Sequence, residues 1–349
     1  MNHKEKKKLF QDVFAPKKGE KILFLVDTAH DNIKDNQNWK DRRLMAQEWY
    51  EVFQEMGQKK HFSVEMLEYK ATGMHNAPIP KNILNPAKES DIVIAMTEFS
   101  ASSSLLPLCE SKGSHTRGAS MPLVERRMEK TAFKADYKKV QAYANAIRNL
   151  LDRANGAKIL FSTDDKLYID LRNRKTRVEA GDCTKPGQFI NFPSGEAYKS
   201  PYEAALDEIN KYGQSKTEGI WPVYYNNEII KYHVKNNTII EVMGKSEKAE
   251  EMKKFFNEES SRRNIAELGI GCNQNAVVTG NPLEDEKVGL HIAYGTSSHM
   301  GGKTMSDMHQ DIIHAKGCPI EGITLTLFNK DGTTIDLIRN AELRYNLLK

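Results

Sequence analysis

The chain alternates between short, wholly apolar runs and longer stretches in which apolar residues return every three or four positions. "KILFLVD" (Lys21 to Asp27) and "DIVIAMTEF" (Asp91 to Phe99) are runs of the first kind, as expected of strands buried on both faces of a parallel sheet. Between them Trp39, Arg43, Ala46, Trp49, Tyr50 and Phe53 recur at helical spacing, and Gly57 is expected to end that helix. "FSVEMLEY" (Phe62 to Tyr69) alternates as a strand does. Strand, helix, strand, connection, strand predicts an open α/β domain of Rossmann-like type. The helical stretch "DYKKVQAYANAIRNLLDRA" (Asp136 to Ala154) closes this part, which places a domain boundary at residue 155. From residue 156 to 349 the texture changes to short strands such as "KILFST", "KLYIDLR" and "TLTLF", broken by Gly, Pro and Asn. That pattern predicts a mixed, largely antiparallel α+β second domain.

Composition narrows the class. A chain of 349 residues with 39% hydrophobic and 28% charged content is neither disordered nor a membrane span, and its length suits two domains. The formal charge of +4 is small and spread along the chain, so nucleic acid is not demanded as a partner. No run approaches the roughly 18 apolar residues of a membrane helix, and no signal-peptide core follows the basic "MNHKEKKKLFQ", so a cytoplasmic location is expected. Cys109, Cys183, Cys272 and Cys318 stand far apart and are expected to be reduced thiols.

Two phosphate-binding readings fail on spacing. "DTAHDN", with Asp27, His30 and Asp31 at the end of a strand, lacks the glycines of a dinucleotide loop and is expected to be a solvated turn. "GGKT" (Gly301 to Thr304) lacks the earlier glycine of a phosphate loop, since position 297 is serine. A different constellation remains. In "SDMHQDIIHAKG" His309 and Asp311 stand two apart, so on a strand both face one side. "GLHIAYG" sets His291 in a short strand, "NIAELGIGCN" sets Glu267 beside a glycine-marked apolar turn, and "NFPSGEAYKSP" sets Glu196 in a turn bounded by Pro and Gly. Two imidazoles and three carboxylates from separate segments form the mixed N/O donor supply of a divalent metal centre.

"NFPSGEAY", "AELGIGCN", "DEKVGLHIAYG", "GGKTMSDMHQD" and "LTLFNKDGTTIDLIRNAEL" occur in that order across the second domain. In this they resemble the successive motifs of the thermophilic-type metallo-aminopeptidases, the aminopeptidase T and aminopeptidase S group. A fainter likeness extends to "RGASMP" (Arg117 to Pro122) and the domain before it. The resemblance implies a homodimeric hydrolase acting on a small peptide or amide, with two divalent ions (Zn, Co or Mn) held by Glu196, Glu267, His291, His309 and Asp311. The family's tyrosine after the "HIA" motif is missing here, where the chain reads "YGTSSHMGG". Ser298 or His299 is expected to stand in for it as donor to the developing oxyanion. The ten residues Ser298 to Asp307 read as a mobile loop over the metals. The second domain is also similar to ring-cleaving dioxygenases of dihydroxypyridines. On that alternative His291, His309 and Asp311 would hold one Fe(II). A repurposed binding protein, marked by lost ligands, is the third possibility.

Overall fold

The structure, a computed structural model, describes residues 1–30 and 32–348, so Asp31 of the "DTAHDN" turn lies outside the described residues. It is a mixed α/β chain in which two compact units are each assembled from separated segments. The first comprises Met1–Gln141, Glu179–Gly195 and Asn273–Glu284, and the second Ala142–Val178, Glu196–Cys272 and Asp285–Lys349.

The first unit is built on a parallel sheet. Its strands β1 (Lys21–Thr28), β2 (Ser63–Lys70), β3 (Ile92–Ala95), β4 (Arg117–Ser120) and β8 (Phe189–Asn191) lie in the order β2-β1-β3-β4-β8. Central β1 is buried from Ile22 to Val26, which is why its sequence shows no alternation. Ile22, Phe24 and Ile94 pack on one face with Phe10 of α1 (His3–Val13) and Trp49 and Phe53 of α2 (Gln37–Lys60). Leu23, Leu25 and Val93 pack on the other with Ile83 and Leu105 from the helices Lys81–Lys88 and Ser102–Glu110. Helix α2 does not stop at Gly57. It runs to Lys60 and is closed by His61, whose φ is 60° and whose N–H returns to the Gly57 carbonyl at 2.7 Å. Nor is Asp27 solvated. Its buried carboxylate accepts from Trp39 Nε1 at 2.9 Å and from the backbone N–H groups of Glu98 at 2.8 Å and Phe99 at 3.1 Å. It therefore ties the end of β1 to the segment leaving β3. His30 donates from Nε2 to the Ala71 carbonyl at 3.0 Å.

The second unit carries two sheets. The larger is antiparallel, in the order β12 (Thr238–Met243), β11 (Glu228–Lys235), β10 (Glu218–Tyr225), β6 (Lys166–Asp170), β5 (Ala154–Phe161), β16 (Gly322–Asn329), β17 (Thr334–Arg339) and β18 (Glu342–Leu343). The smaller runs β15 (His309–Ile313), β14 (Leu290–Gly295), β13 (Ile265–Gly271), β9 (Glu196–Lys199) and β7 (Arg177–Glu179). Tyr294 of β14 packs into an aromatic core with Trp221, Tyr232 and Phe256. Strand periodicity then turns His291, Ala293 and Gly295 to the opposite face.

All four cysteines are free, and Cys109, Cys183 and Cys272 are buried. Among the described residues no helix is long and apolar enough to cross a membrane.

Candidate metal centre

Cross-strand register places every metal-ligand candidate on one face of the smaller sheet. His309 lies opposite Gly295 and Asp311 opposite Ala293, while Glu267 lies opposite Ala293, Gly269 opposite His291 and Gly271 opposite Glu196. Directly opposed residues of antiparallel strands share a face. That face therefore carries Glu196, Glu267, His291, His309 and Asp311, and along β13 and β14 the residues interleaved with them are Gly269, Gly271, Ala293 and Gly295. The small residues are a requirement. A Cβ on Gly269 would stand 1.8 Å from His291 Nε2, so the imidazole lies directly over the bare backbone of β13.

Glu267 is not at a turn, as its glycine-rich surroundings suggest, but inside fully buried β13. Its position lets it face both histidines at once. Oε1 lies 3.2 Å from His291 Nε2 and Oε2 lies 3.3 Å from His309 Nε2. Glu196, the first residue of β9, reaches His291 Nε2 with Oε2 at 3.1 Å, and Asp311 Oδ2 lies 3.5 Å from His309 Nε2. Two triads result, Glu196–Glu267–His291 and Glu267–His309–Asp311, the donor atoms of each lying within 4.8 Å of one another. They share Glu267.

The backbone fixes which nitrogen faces the cluster. His309 Nδ1 is 2.8 Å from the Thr296 carbonyl and His291 Nδ1 is 3.3 Å from that of Gly289, so each Nδ1–H donates outward. Nε2 is left towards the carboxylates, the arrangement in which a histidine ligates metal. Carboxylates face both imidazoles. Burial opposes protonation of both imidazoles, yet Glu196 and Glu267 hold His291, and Asp311 and Glu267 hold His309, well above the ordinary histidine range.

The donor set fits divalent metal. Glu196 Oε2 is buried and accepts no hydrogen bond, although His291 Nε2 is close by. A buried, unbonded carboxylate oxygen aimed at the same point as an imidazole nitrogen lacks an electron acceptor, which a cation supplies. Lys287 adds a second feature, one that pattern reading of the sequence passes over. Its buried ammonium donates to Glu196 Oε1 and to Glu286 Oε2, the latter at 3.0 Å. The only advance signal was a lysine next to Glu286 in the quoted "DEKVGLHIAYG" stretch.

Ser298 and His299 sit in a short turn between β14 and β15. The His299 ring meets that of His309 nearly edge-on, with centroids 5.1 Å apart and planes at 82°. Loss of water and the neighbouring His309 push His299 down to about 4, so it is a neutral imidazole at neutral pH. The Ser298 hydroxyl lies 3.4 Å from that of Thr296.

No protein-family model matches the sequence, and no curated protein matches it significantly. Solved structures do. The chain matches 2,5-dihydroxypyridine dioxygenase from Pseudomonas putida with a TM-score of 0.68 at 15% identity, over 98% of both chains. It matches AmpT from Thermus thermophilus with a TM-score of 0.62 at 12% identity, again over 98% of both chains. The chain has their fold. One neighbour is a dioxygenase and the other, AmpT, an aminopeptidase T, so the likeness by itself leaves the reaction to be argued from the site.

Proposed function

We propose that this chain is a metal-dependent hydrolase of aminopeptidase type, removing amino-terminal residues from small peptides or cleaving a related amide, and working as a homodimer. One observation carries the reading: the Glu267 carboxylate turns one oxygen to each of two donor triads. A carboxylate shared in that way would serve a site for two divalent ions. Glu196 and His291 would complete one position, His309 and Asp311 the other.

When bound, divalent ions such as Zn, Co or Mn supply a water of lowered pKa and polarise the scissile carbonyl. The remaining work falls to the protein. The carbonyls of Gly289 and Thr296 hold the two imidazoles in the ligating tautomer. His299, neutral and against His309, can donate one N–H to the oxygen on which charge develops. Lys287 offsets part of the negative charge on Glu196.

That ammonium also favours a second reading. If Lys287 satisfies Glu196, then His291, His309 and Asp311 remain as two histidines and a carboxylate, the donor set of a single Fe(II) in ring-cleaving oxygenases. The test is direct. Protein stripped by chelator and reloaded with Zn, Co, Mn or Fe(II) is assayed on unmodified di- and tripeptides and on 2,5-dihydroxypyridine, with and without oxygen. The hydrolase reading expects oxygen-independent release of amino-terminal residues. Turnover that needs both iron and oxygen overturns it.

A further inference from the structure

Glu203, on the segment leaving β9, has a side chain only 4% exposed and a carboxylate surrounded by donors. Its Oε1 accepts from the Ser297 hydroxyl, from the Thr304 N–H at 3.1 Å and from Asn264 Nδ2 at 3.3 Å. Oε2 accepts from the Lys303 N–H at 2.6 Å and from Arg174 Nη2 at 3.2 Å. Burial alone would push this carboxyl up, but the bonds from Ser297, Thr304, Lys303 and Arg174 outweigh it and hold the group below the ordinary glutamate range. Glu203 is therefore an anion with acceptors only, and every group facing it is a donor.

Three of those donors belong to the turn between β14 and β15. That turn also closes on itself, since the N–H groups of Ser297 and Ser298 both reach the Thr304 carbonyl, at 3.0 and 3.1 Å. Gly302 packs against the same point, where an added Cβ would stand 2.2 Å from Ser297 Oγ. The turn expected to be a mobile loop is thus a folded turn gripped from beneath by one buried carboxylate. It carries two groups of consequence. The Thr296 carbonyl takes the Nδ1–H of His309 at 2.8 Å, and His299 lies against the His309 ring.

We infer that Glu203 is the positioning residue of this centre: by holding the 296–304 turn it sets both the orientation of His309 and the placement of His299. The catalytic consequence rests on the hydrolase reading, whereas the structural consequence does not. Displacing a group that orients a metal-ligating histidine typically costs 10- to 100-fold in affinity or activity. Displacing a transition-state donor by about 1 Å costs on the order of 10²-fold in rate.

Glu203→Gln is the decisive variant, because it keeps the shape but turns an amide N–H₂ on groups that are themselves donors. Amide hydrogen exchange, zinc affinity by competition with a chromogenic chelator, and kcat and KM on unmodified dipeptides are compared with wild type. Amides of residues 297–304 are expected to exchange at least ~10-fold faster while β13 keeps its protection. Zinc affinity and kcat are each expected to fall about 10- to 100-fold, with KM within about threefold and partial recovery in Glu203→Asp. A folded Glu203→Gln protein with unchanged exchange at 297–304 and unchanged zinc affinity overturns the inference. Should that variant not fold, Ser297→Ala, which removes one donor from the same carboxylate, is read in the same way, and unchanged exchange there overturns it. If wild type cleaves no peptide, the hydrolase reading fails, and exchange and zinc affinity still decide the role of Glu203.

Discussion

The indole N–H of Trp221 donates to Nε2 of His314 at 2.9 Å, while His314 Nδ1 lies 3.2 Å from the Ile320 carbonyl. Both ring nitrogens are thereby occupied inside the core, and the His314 ring packs on Phe161 with centroids 4.9 Å apart. The two histidines and the aspartate of "HQDIIH" divide accordingly, His309 and Asp311 to the site face and His314 to the interior.

His314→Ala is therefore a stability variant. Removing a buried ring and leaving the Trp221 donor unpaired is expected to lower unfolding free energy by about 2–4 kcal/mol. Denaturant titration measures this, with zinc stoichiometry unchanged. Loss of bound zinc in folded His314→Ala would contradict the assignment.

The same histidine predicts an acid sensitivity. Burial pushes His314 down to about 4, below its unfolded value near 6.5, so the native state binds fewer protons. Its contribution is complete above pH 6.5 and is lost as pH falls towards 4, by about 3 kcal/mol. His291 and His309, raised rather than lowered, contribute in the opposite sense. They are common to wild type and His314→Gln, so the difference between the two stability curves isolates His314. Parallel curves from pH 7 to 4 would refute the prediction.

Glu267→Gln should reduce the number of zinc ions bound at saturation and His309→Ala should abolish tight binding, both read by metal analysis after dialysis. In wild type, zinc at 100 times its dissociation constant stabilises the native state by about 2.7 kcal/mol. For a unit of this size that is a rise in melting temperature of about 5–10 °C. No rise after stripping and restoring metal would show that the cluster does not bind zinc.

Gly269→Ala tests the close approach of His291 to β13. The added methyl cannot share space with the imidazole, so the ring must leave its place among Glu196 and Glu267. Zinc affinity should fall by more than ~10-fold, a loss of the kind seen when a ligand's orientation is disturbed.

His299→Ala should lower turnover by roughly 10²–10³-fold, the usual loss for one oxyanion donor. Zinc content should not change. Unchanged kinetics on a good substrate would return the role to Ser298 or to solvent.

Much of the fold is legible in the chain because burial leaves a mark on local pattern. β1 and β3 are read as apolar runs, and the spacing of His309 and Asp311 identifies a shared face once a strand is assumed. The pattern sets Glu267 beside a turn rather than inside a strand because β13 is buried on both faces and has no alternation, while its glycines look like punctuation. Gly57 was misread as a stop because the helix ends through the left-handed conformation of His61, a residue with no strong local signal for it. Glu203 carries no local signal and Lys287 only its place beside Glu286, since their other partners are set by contacts distant in sequence.

The bare floor beneath the candidate centre has a historical consequence. Along β13 and β14 the residues interleaved with the site groups are already glycine or alanine, so the strands have little left to shrink and no space in which to grow. Descendants of this architecture can hardly change trade by rewriting the strands themselves. Innovation is channelled into the rim, through the turn that bears His299, the anchor beneath it, and the lysine beside Glu196.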